Sequence, residues 1–289
     1  MTWPGFTTHL EKLDEIRIGW TIGGKGPPVL MLHGFPQTRA LWAKVAPVLA
    51  RDFTVICPDL RGYGQSDKPA SVADYTFRKM ARDQIVLLKH LGFENAAVIG
   101  HDRGGRVGHR MALDHPDFVT RLCVLDIIPT HTLLKNLRMD VARSYYHWFF
   151  LAQPEPLPER LITADPDLYF ASCLSGWGKA GLDKFDPHQL EQYRTAWKDP
   201  DTIRGMCNDY RATLRHDVQD DEADLSAKVT CPLSVLYGQD GAMAALFDFE
   251  ASWLSKGCSV DVRSLPGGHF FIDSHPDQTL AALLDSPNT

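Results

Sequence analysis

Five short apolar runs closed by turn residues punctuate this chain: PVLMLHG (28–34), FTVICPD (53–59), AAVIGHD (96–102), VTRLCVLD (119–126) and LSVLYG (233–238). Runs this short that are apolar without strict alternation suit strands buried on both faces, the mark of a mostly parallel sheet covered by helices on each side. Helical patterns fall between them, RALWAKVAPVLAR (39–51) and FRKMARDQIVLLKHLG (77–92), the latter with Ile85, Leu88 and Leu91 at helical spacing. At the N-terminal side, EKLDEIRIGWTIGG alternates enough to predict an antiparallel hairpin at one sheet edge. The rhythm returns late in CSVDVRSLPG and ends in a helix near 276–285.

Between these blocks, from about residue 130 to 222, the strand rhythm stops. The segment is rich in Tyr, Trp, His, Arg and Pro and carries helical patterns such as HQLEQYRTAWKD. The expected architecture is an α/β fold with residues 1–129 and 223–289 as the core and 130–222 as a helical cap inserted after the sixth strand. A chain of 289 residues, 44% of them hydrophobic, is long enough to bury such a core.

Several classes are disfavoured. A net charge of −6 without a Lys/Arg-rich run argues against nucleic acid as a partner and leaves small-molecule chemistry as the expectation. The start MTWPGFTTHLEKLDE has no basic stretch followed by an apolar one, and no run approaches the roughly 18 apolar residues of a spanning helix. A cytoplasmic protein without a membrane partner is the expectation. The six cysteines, Cys57, Cys123, Cys173, Cys207, Cys231 and Cys258, lack disulfide-framework or zinc-ligand spacing and read as buried or inert thiols.

The strongest local signal is AAVIG-HDRGG-RVGHRMALDHP, where a strand enters Gly100-His101-Asp102-Arg103-Gly104 and passes straight into a helix. That is the nucleophile-elbow pattern, with aspartate in the position of the nucleophile and glycines that permit a tight turn. An aspartate at a strand-to-helix junction is also a good helix cap, so the motif alone has two readings. Two distant features favour the nucleophile. Asp126 closes a run at the strand edge where open α/β sheets place their sites, and His269 sits in the loop LPGGHF after the last run. Nucleophile, acid and histidine then follow in the α/β-hydrolase order. Asp240 in LYGQDG is a rival acid near the end of the next strand; its spacing is off by one, and Asp126 is the expected partner of His269.

On these residues the chain resembles the epoxide hydrolase and dehalogenase branch of the α/β-hydrolases, and GHDRGGRVGHRMALDHP resembles fluoroacetate dehalogenases in particular. The resemblance runs over nearly the whole chain. It implies that Phe35, in His33-Gly34-Phe35-Pro36, supplies an oxyanion-hole N–H. It implies too that Arg103 and Arg106 hold a substrate carboxylate, for which their i, i+3 spacing on one helix face is suitable. In the cap, His147 and Trp148 of SYYHWFF and Tyr210 of NDYRA match the family's halide pocket, whose donors suit a strongly hydrated leaving fluoride. The family also allows a homodimer.

The chemistry that follows is attack of Asp102 on the α-carbon of a haloacetate, then hydrolysis of the resulting ester by water activated by His269 and Asp126. A serine in that position would leave a stable ether. Neither a metal nor an organic cofactor is needed. An epoxide hydrolase would share Asp102 and His269 and protonate its substrate from cap tyrosines, for which Tyr145, Tyr146, Tyr169, Tyr193 and Tyr210 are available. Against that reading, Arg103 and Arg106 would set two cations beside a neutral substrate. A catalytically inert binding module of the same fold is a third reading, which the intact Asp102, Asp126 and His269 oppose.

Overall fold

The computed structural model describes residues 3–178 and 181–285 and holds one eight-stranded sheet. Its strands are β1 (Phe6–Leu13), β2 (Ile16–Gly23), β3 (Pro28–Leu32), β4 (Thr54–Pro58), β5 (Ala96–His101), β6 (Val119–Leu125), β7 (Leu233–Gly238) and β8 (Val260–Leu265). They lie in the order β1-β2-β4-β3-β5-β6-β7-β8. The predicted N-terminal hairpin forms the antiparallel edge, and from β4 to β8 every pairing is parallel. The apolar runs are therefore strands, each followed by turn residues at the sheet's C-terminal edge.

Alternate residues of each run serve opposite faces. Leu30, Leu32, Val98, Leu122, Val124 and Val235 enter one apolar cluster, whereas Val29, Met31, Ile99, Cys123, Leu125 and Leu236 enter another. Both faces being buried, neither set can be polar, so the runs read as continuous rather than alternating. The helix predicted at 77–92 spans Phe77–His90 (α1), capped by Thr76 Oγ1, which accepts from Lys79 N. Gly92, two residues beyond, has a φ of +84° that stops it.

The helix expected at 39–51 is broken instead into a 3-10 turn at Arg39–Ala43 and one short helix at Ala46–Leu49. Pro47 is the reason. It has no N–H for the carbonyl of Ala43, so the chain restarts with the proline in a first turn, where that donor is not needed.

The cap follows β6. Its described helices include α3 (Tyr146–Leu151), α4 (Pro187–Trp197) and α5 (Pro200–Ala212), lying C-terminal to α2 (Arg103–Asp114) of the core. We propose 130–222 as the cap's limits, with 1–129 and 223–289 as the core. A single π-helical turn at Thr213–Asp217 extends α5. Among the described residues no helix is long and apolar enough to cross a membrane. Four of the cysteines are buried, Cys231 is half-buried and Cys258 is exposed, and all six are free thiols.

Candidate active site

The elbow is built by close approach of backbones. A Cβ on Gly100 would stand 2.4 Å from the carbonyl oxygen of Gly104, and one on Gly104 would stand 2.4 Å from that of Leu32, so α2 can start hard against β5 and β3 only with glycine at both places. Between them Asp102 takes φ 48° and ψ −113°, a conformation that non-glycine residues avoid.

Its side chain makes no capping bond to α2. It turns the other way, where Oδ1 accepts from the backbone N–H of Phe35 at 3.0 Å. A Cβ on Gly34 would come within 2.5 Å of Asp102 Cβ, which shows how tightly the HGFP turn is laid over the aspartate. That turn is fixed from behind by His33, buried, with Nε2 accepting from Leu60 N at 3.0 Å and Nδ1 close to Gly34 O at 3.0 Å.

Across the site His269 Nδ1 lies 2.7 Å from Asp126 Oδ2, while Nε2 points toward Asp102 Oδ2 at 3.9 Å, longer than a hydrogen bond. Asp126 is buried beyond the end of β6 with φ 51°, and its Oδ1 accepts from Gly238 N at 2.9 Å. The rival, Asp240, is exposed and accepts from Gly267 N at 3.0 Å, so it braces the glycine turn of the histidine loop rather than the ring.

Electrostatics follow from this packing. Burial opposes the Asp102 charge, but His269, His101, Arg103 and Arg106 outweigh it and hold the carboxyl down at about 2. Burial pulls His269 down, but its bond to Asp126 and the charges of Asp126 and Asp102 carry it above the usual histidine value. His147 is driven well below that value by burial, partly offset by Asp102, so its ring is a neutral imidazole.

Over Phe35 the cap closes an aromatic cage. His147 stacks on Phe35 with centroids 5.9 Å apart, and Tyr210 meets Phe35 edge-on at 5.3 Å and Trp148 at 5.6 Å. Trp148 Nε1 and Tyr210 Oη are buried without a hydrogen-bond partner among the described residues. Two buried, unpartnered donors on rings of one aromatic cluster can serve an anion or a strong acceptor.

The two arginines are both buried, yet their partners differ. Arg103 gives Nε to Asp209 Oδ2 at 2.9 Å and Nη2 to Asp209 Oδ1 and Thr213 Oγ1, lies 4.5 Å from the Tyr210 ring, and keeps Nη1 unpaired among the described residues. Arg106 gives Nη1 only to neutral oxygens, Ile128 O and Thr130 Oγ1, each at 2.9 Å, and lies 4.7 Å from the Trp148 ring. Arg103 is thus hydrogen-bonded to a buried carboxylate and Arg106 is not. Sequence reasoning missed Asp209, although it stands next to Tyr210. Tyr145, which the sequence offered only as a cap tyrosine for epoxide chemistry, lines with Asp102, Asp126, His147, Met243 and His269 a small cavity beside the nucleophile.

The α/β-hydrolase fold model matches residues 27–276. The chain is 51% identical to fluoroacetate dehalogenase of a Burkholderia species over 96% of this chain and 93% of that one. It is 34% identical to soluble epoxide hydrolase of a Corynebacterium species, covering 96% of each. Among solved structures, epoxide hydrolase CorEH without ligand superposes with a TM-score of 0.88 at 32% identity, covering 96% of this chain and 97% of that one. The chain belongs to the α/β-hydrolase family and, within it, to the fluoroacetate dehalogenase family.

Proposed function

We propose that this protein hydrolyses haloacetates, fluoroacetate among them, through an ester on Asp102. The observation that carries the reading is the state of Asp102. It is a buried, ionised carboxylate in a strained elbow that caps nothing, with Arg106, a guanidinium whose hydrogen bonds go only to neutral oxygens, beside it. In the first step Asp102 Oδ2 attacks the α-carbon, the carbon–halogen bond breaks and halide leaves with its electron pair. Trp148, Tyr210 and His147 would solvate the halide, while Arg106 and the remaining Nη1 of Arg103 hold the substrate carboxylate.

In the second step water attacks Cγ of the Asp102 ester and passes a proton to His269 Nε2, with Phe35 N–H holding the carbonyl oxygen as it gains charge. The bond from Cγ to the alkyl oxygen breaks, glycolate departs, and Asp102 is regenerated with one oxygen from water. One haloacetate and one water give glycolate, halide and a proton. We place this activity in the cytoplasm and, from the family resemblance, in a homodimer acting on small haloacids.

The second reading is epoxide hydrolysis, favoured by the Corynebacterium relative and by Tyr145 and Tyr210 flanking Asp102. The test is halide or diol release from fluoroacetate, bromoacetate and a neutral epoxide of similar size. Haloacetate should be turned over and the epoxide should not. Arg106→Ala should weaken every haloacetate by on the order of 2–5 kcal/mol in kcat/KM, whatever the halogen. Epoxide turnover at the haloacetate rate, or indifference to Arg106→Ala, would replace this reading with the second.

Halide solvation is tested separately. Trp148→Phe and Tyr210→Phe each remove one donor and keep a ring, at a cost of about 1–3 kcal/mol where the lost bond is to a charge. The fluoroacetate to bromoacetate ratio of kcat/KM should fall in both. Equal slowing of the two substrates would make these residues packing groups only.

A further inference from the structure

Behind the elbow runs a second buried chain of polar groups that no step above uses. Tyr193 Oη, on cap helix α4, donates to Asp273 Oδ1 at 2.9 Å, and Asp273 Oδ2 meets the Gln37 amide at 2.6 Å. The other end of that amide meets His101 Nδ1 at 3.0 Å, and His101 Nε2 meets the backbone carbonyl of His269 at 2.9 Å. Tyr193, Gln37 and His101 have no exposed surface and Asp273 has 1%.

Donor and acceptor rules leave this chain little freedom. A backbone carbonyl only accepts, so the proton of His101 is on Nε2. A neutral His101 then has a bare lone pair at Nδ1, which needs a donor. With the Gln37 oxygen toward that nitrogen and its NH2 toward Asp273, two acceptors stand face to face. The ends of an amide are isosteric, and exchanging them repairs the contact. Gln37 then donates to His101 and presents its oxygen to Asp273 Oδ2, and two oxygens 2.6 Å apart require a proton between them. The first orientation holds only if His101 is a cation paired with an ionised Asp273.

We propose that Asp273 is a neutral carboxylic acid, and that the chain Tyr193, Asp273, Gln37, His101 positions the base by holding the backbone carbonyl of His269, joining the cap to the histidine loop. These are positioning residues, since none touches the reacting atoms. Burial and the charge of His269 keep His101 down at about 3, which disfavours its cation. Burial likewise lifts Asp273 to about 7, against the bonds from Tyr193 and Gln37 and the charge of Lys44, with Asp186 adding to the rise. Tyr193, Gln37, Lys44 and Asp186 act on the Asp273 carboxyl, with His101 beyond Gln37.

The sign of the pH effect follows. Below about 7 Asp273 keeps its proton and the chain is intact. As pH rises through that value the carboxyl ionises, calls for the NH2 of Gln37, and turns the amide oxygen against His101. The hold on His269 weakens, so ester hydrolysis acquires an alkaline limb. The acid limb belongs to His269 itself, which must be neutral to act.

This inference rests on the proposed role of His269, and its test keeps the two separable. The halide burst, accumulation of ester on Asp102 by intact mass, and kcat against pH are measured for the native protein, Asp273→Asn, Asp273→Leu and Tyr193→Phe. Asn mimics the neutral acid, accepting from Tyr193 and donating to Gln37. It should hold kcat within about threefold of native and lose the alkaline limb, because nothing is left to ionise. Leu should leave the burst unchanged and slow ester hydrolysis by roughly tenfold or more, so that adduct accumulates. Should the Leu protein fail to fold, Tyr193→Phe serves alone. Losing a donor that favours the ionised form, it should move the alkaline limb to higher pH.

Asp273→Asn as slow as Leu, an alkaline limb retained by Asn, or one unmoved in Tyr193→Phe would overturn the proposal, as would burst and hydrolysis slowed alike. The protonation is also read without turnover, from an infrared difference spectrum taken well below the ionisation of Asp273 at about 7, in which Asp273→Asn should erase a protonated-carboxyl band. Absence of that band in the native protein is fatal to the inference. Absence of any halide release by the native protein is fatal to the dehalogenase reading instead.

Discussion

Asp102→Asn is expected to give a folded protein that releases no halide and acquires no adduct, a loss on the order of 10⁶-fold in turnover. The amide keeps the shape of the carboxylate and an oxygen for the Phe35 N–H, and asparagine is among the residues that best tolerate a positive φ such as the 48° held here. What it lacks is the charge and basicity to displace a halide from an sp3 carbon. Asp102→Ala should be equally inactive, but it puts a less suited residue in a strained turn, so the asparagine variant is the cleaner comparison. The measurement is fluoride or bromide release over hours, with intact mass on the same samples. Appreciable halide from either variant would mean that another group attacks carbon. The inert-binding-module reading would be favoured if native and variant proteins were equally silent.

The parts of this site legible in the sequence are those fixed by local backbone demands. Glycines at 100 and 104 around an aspartate, between a strand and a helix, can be read because the elbow is a turn a few residues long. Asp126 and His269 were legible as strand-end and loop residues and as the expected pair, with Asp240 left as a rival because it also lies at a strand end. The distinction is made by Asp126 turning through φ 51° over the end of β6, while Asp240 bonds back to Gly267. Contacts that need the cap folded onto the core could not be read at all. Arg103 and Asp209 are 106 residues apart, and Gln37 and Asp273 are 236 apart, with no periodicity to link them. As a result the two arginines, adjacent on one helix face, read as equivalent, whereas only Arg106 lacks a carboxylate partner among its hydrogen bonds. The broken helix at 39–51 is the opposite case, because Pro47 is a local signal in the sequence that overrides the helical spacing of the apolar residues around it.

His269→Asn should separate the two chemical steps. Attack on the α-carbon needs an ionised Asp102 and an open path, and no proton moves, so one equivalent of halide should still be released. Ester hydrolysis needs a base for the attacking water, and losing it costs typically about 10²–10⁴-fold. The protein should therefore stall with the mass of a carboxymethyl group on Asp102. Two features of the site sharpen this expectation. His269 is pulled down by burial and lifted by Asp126 and Asp102, so it stays protonated above the usual histidine range while Asp102 is charged. Ester formation removes the Asp102 charge and with it one of the lifting influences, which frees the base as the ester appears. The acid limb should accordingly lie lower when hydrolysis of preformed ester is followed than when the free protein is titrated. Asp126→Asn should slow ester hydrolysis by disturbing the tautomer and aim of His269, and by much more than Asp240→Asn, whose carboxylate only braces a turn. The opposite ranking would move the acid to the end of β7. An equivalent of halide released by His269→Asn without any adduct would show that water attacks the substrate carbon directly, and the ester mechanism would have to be abandoned.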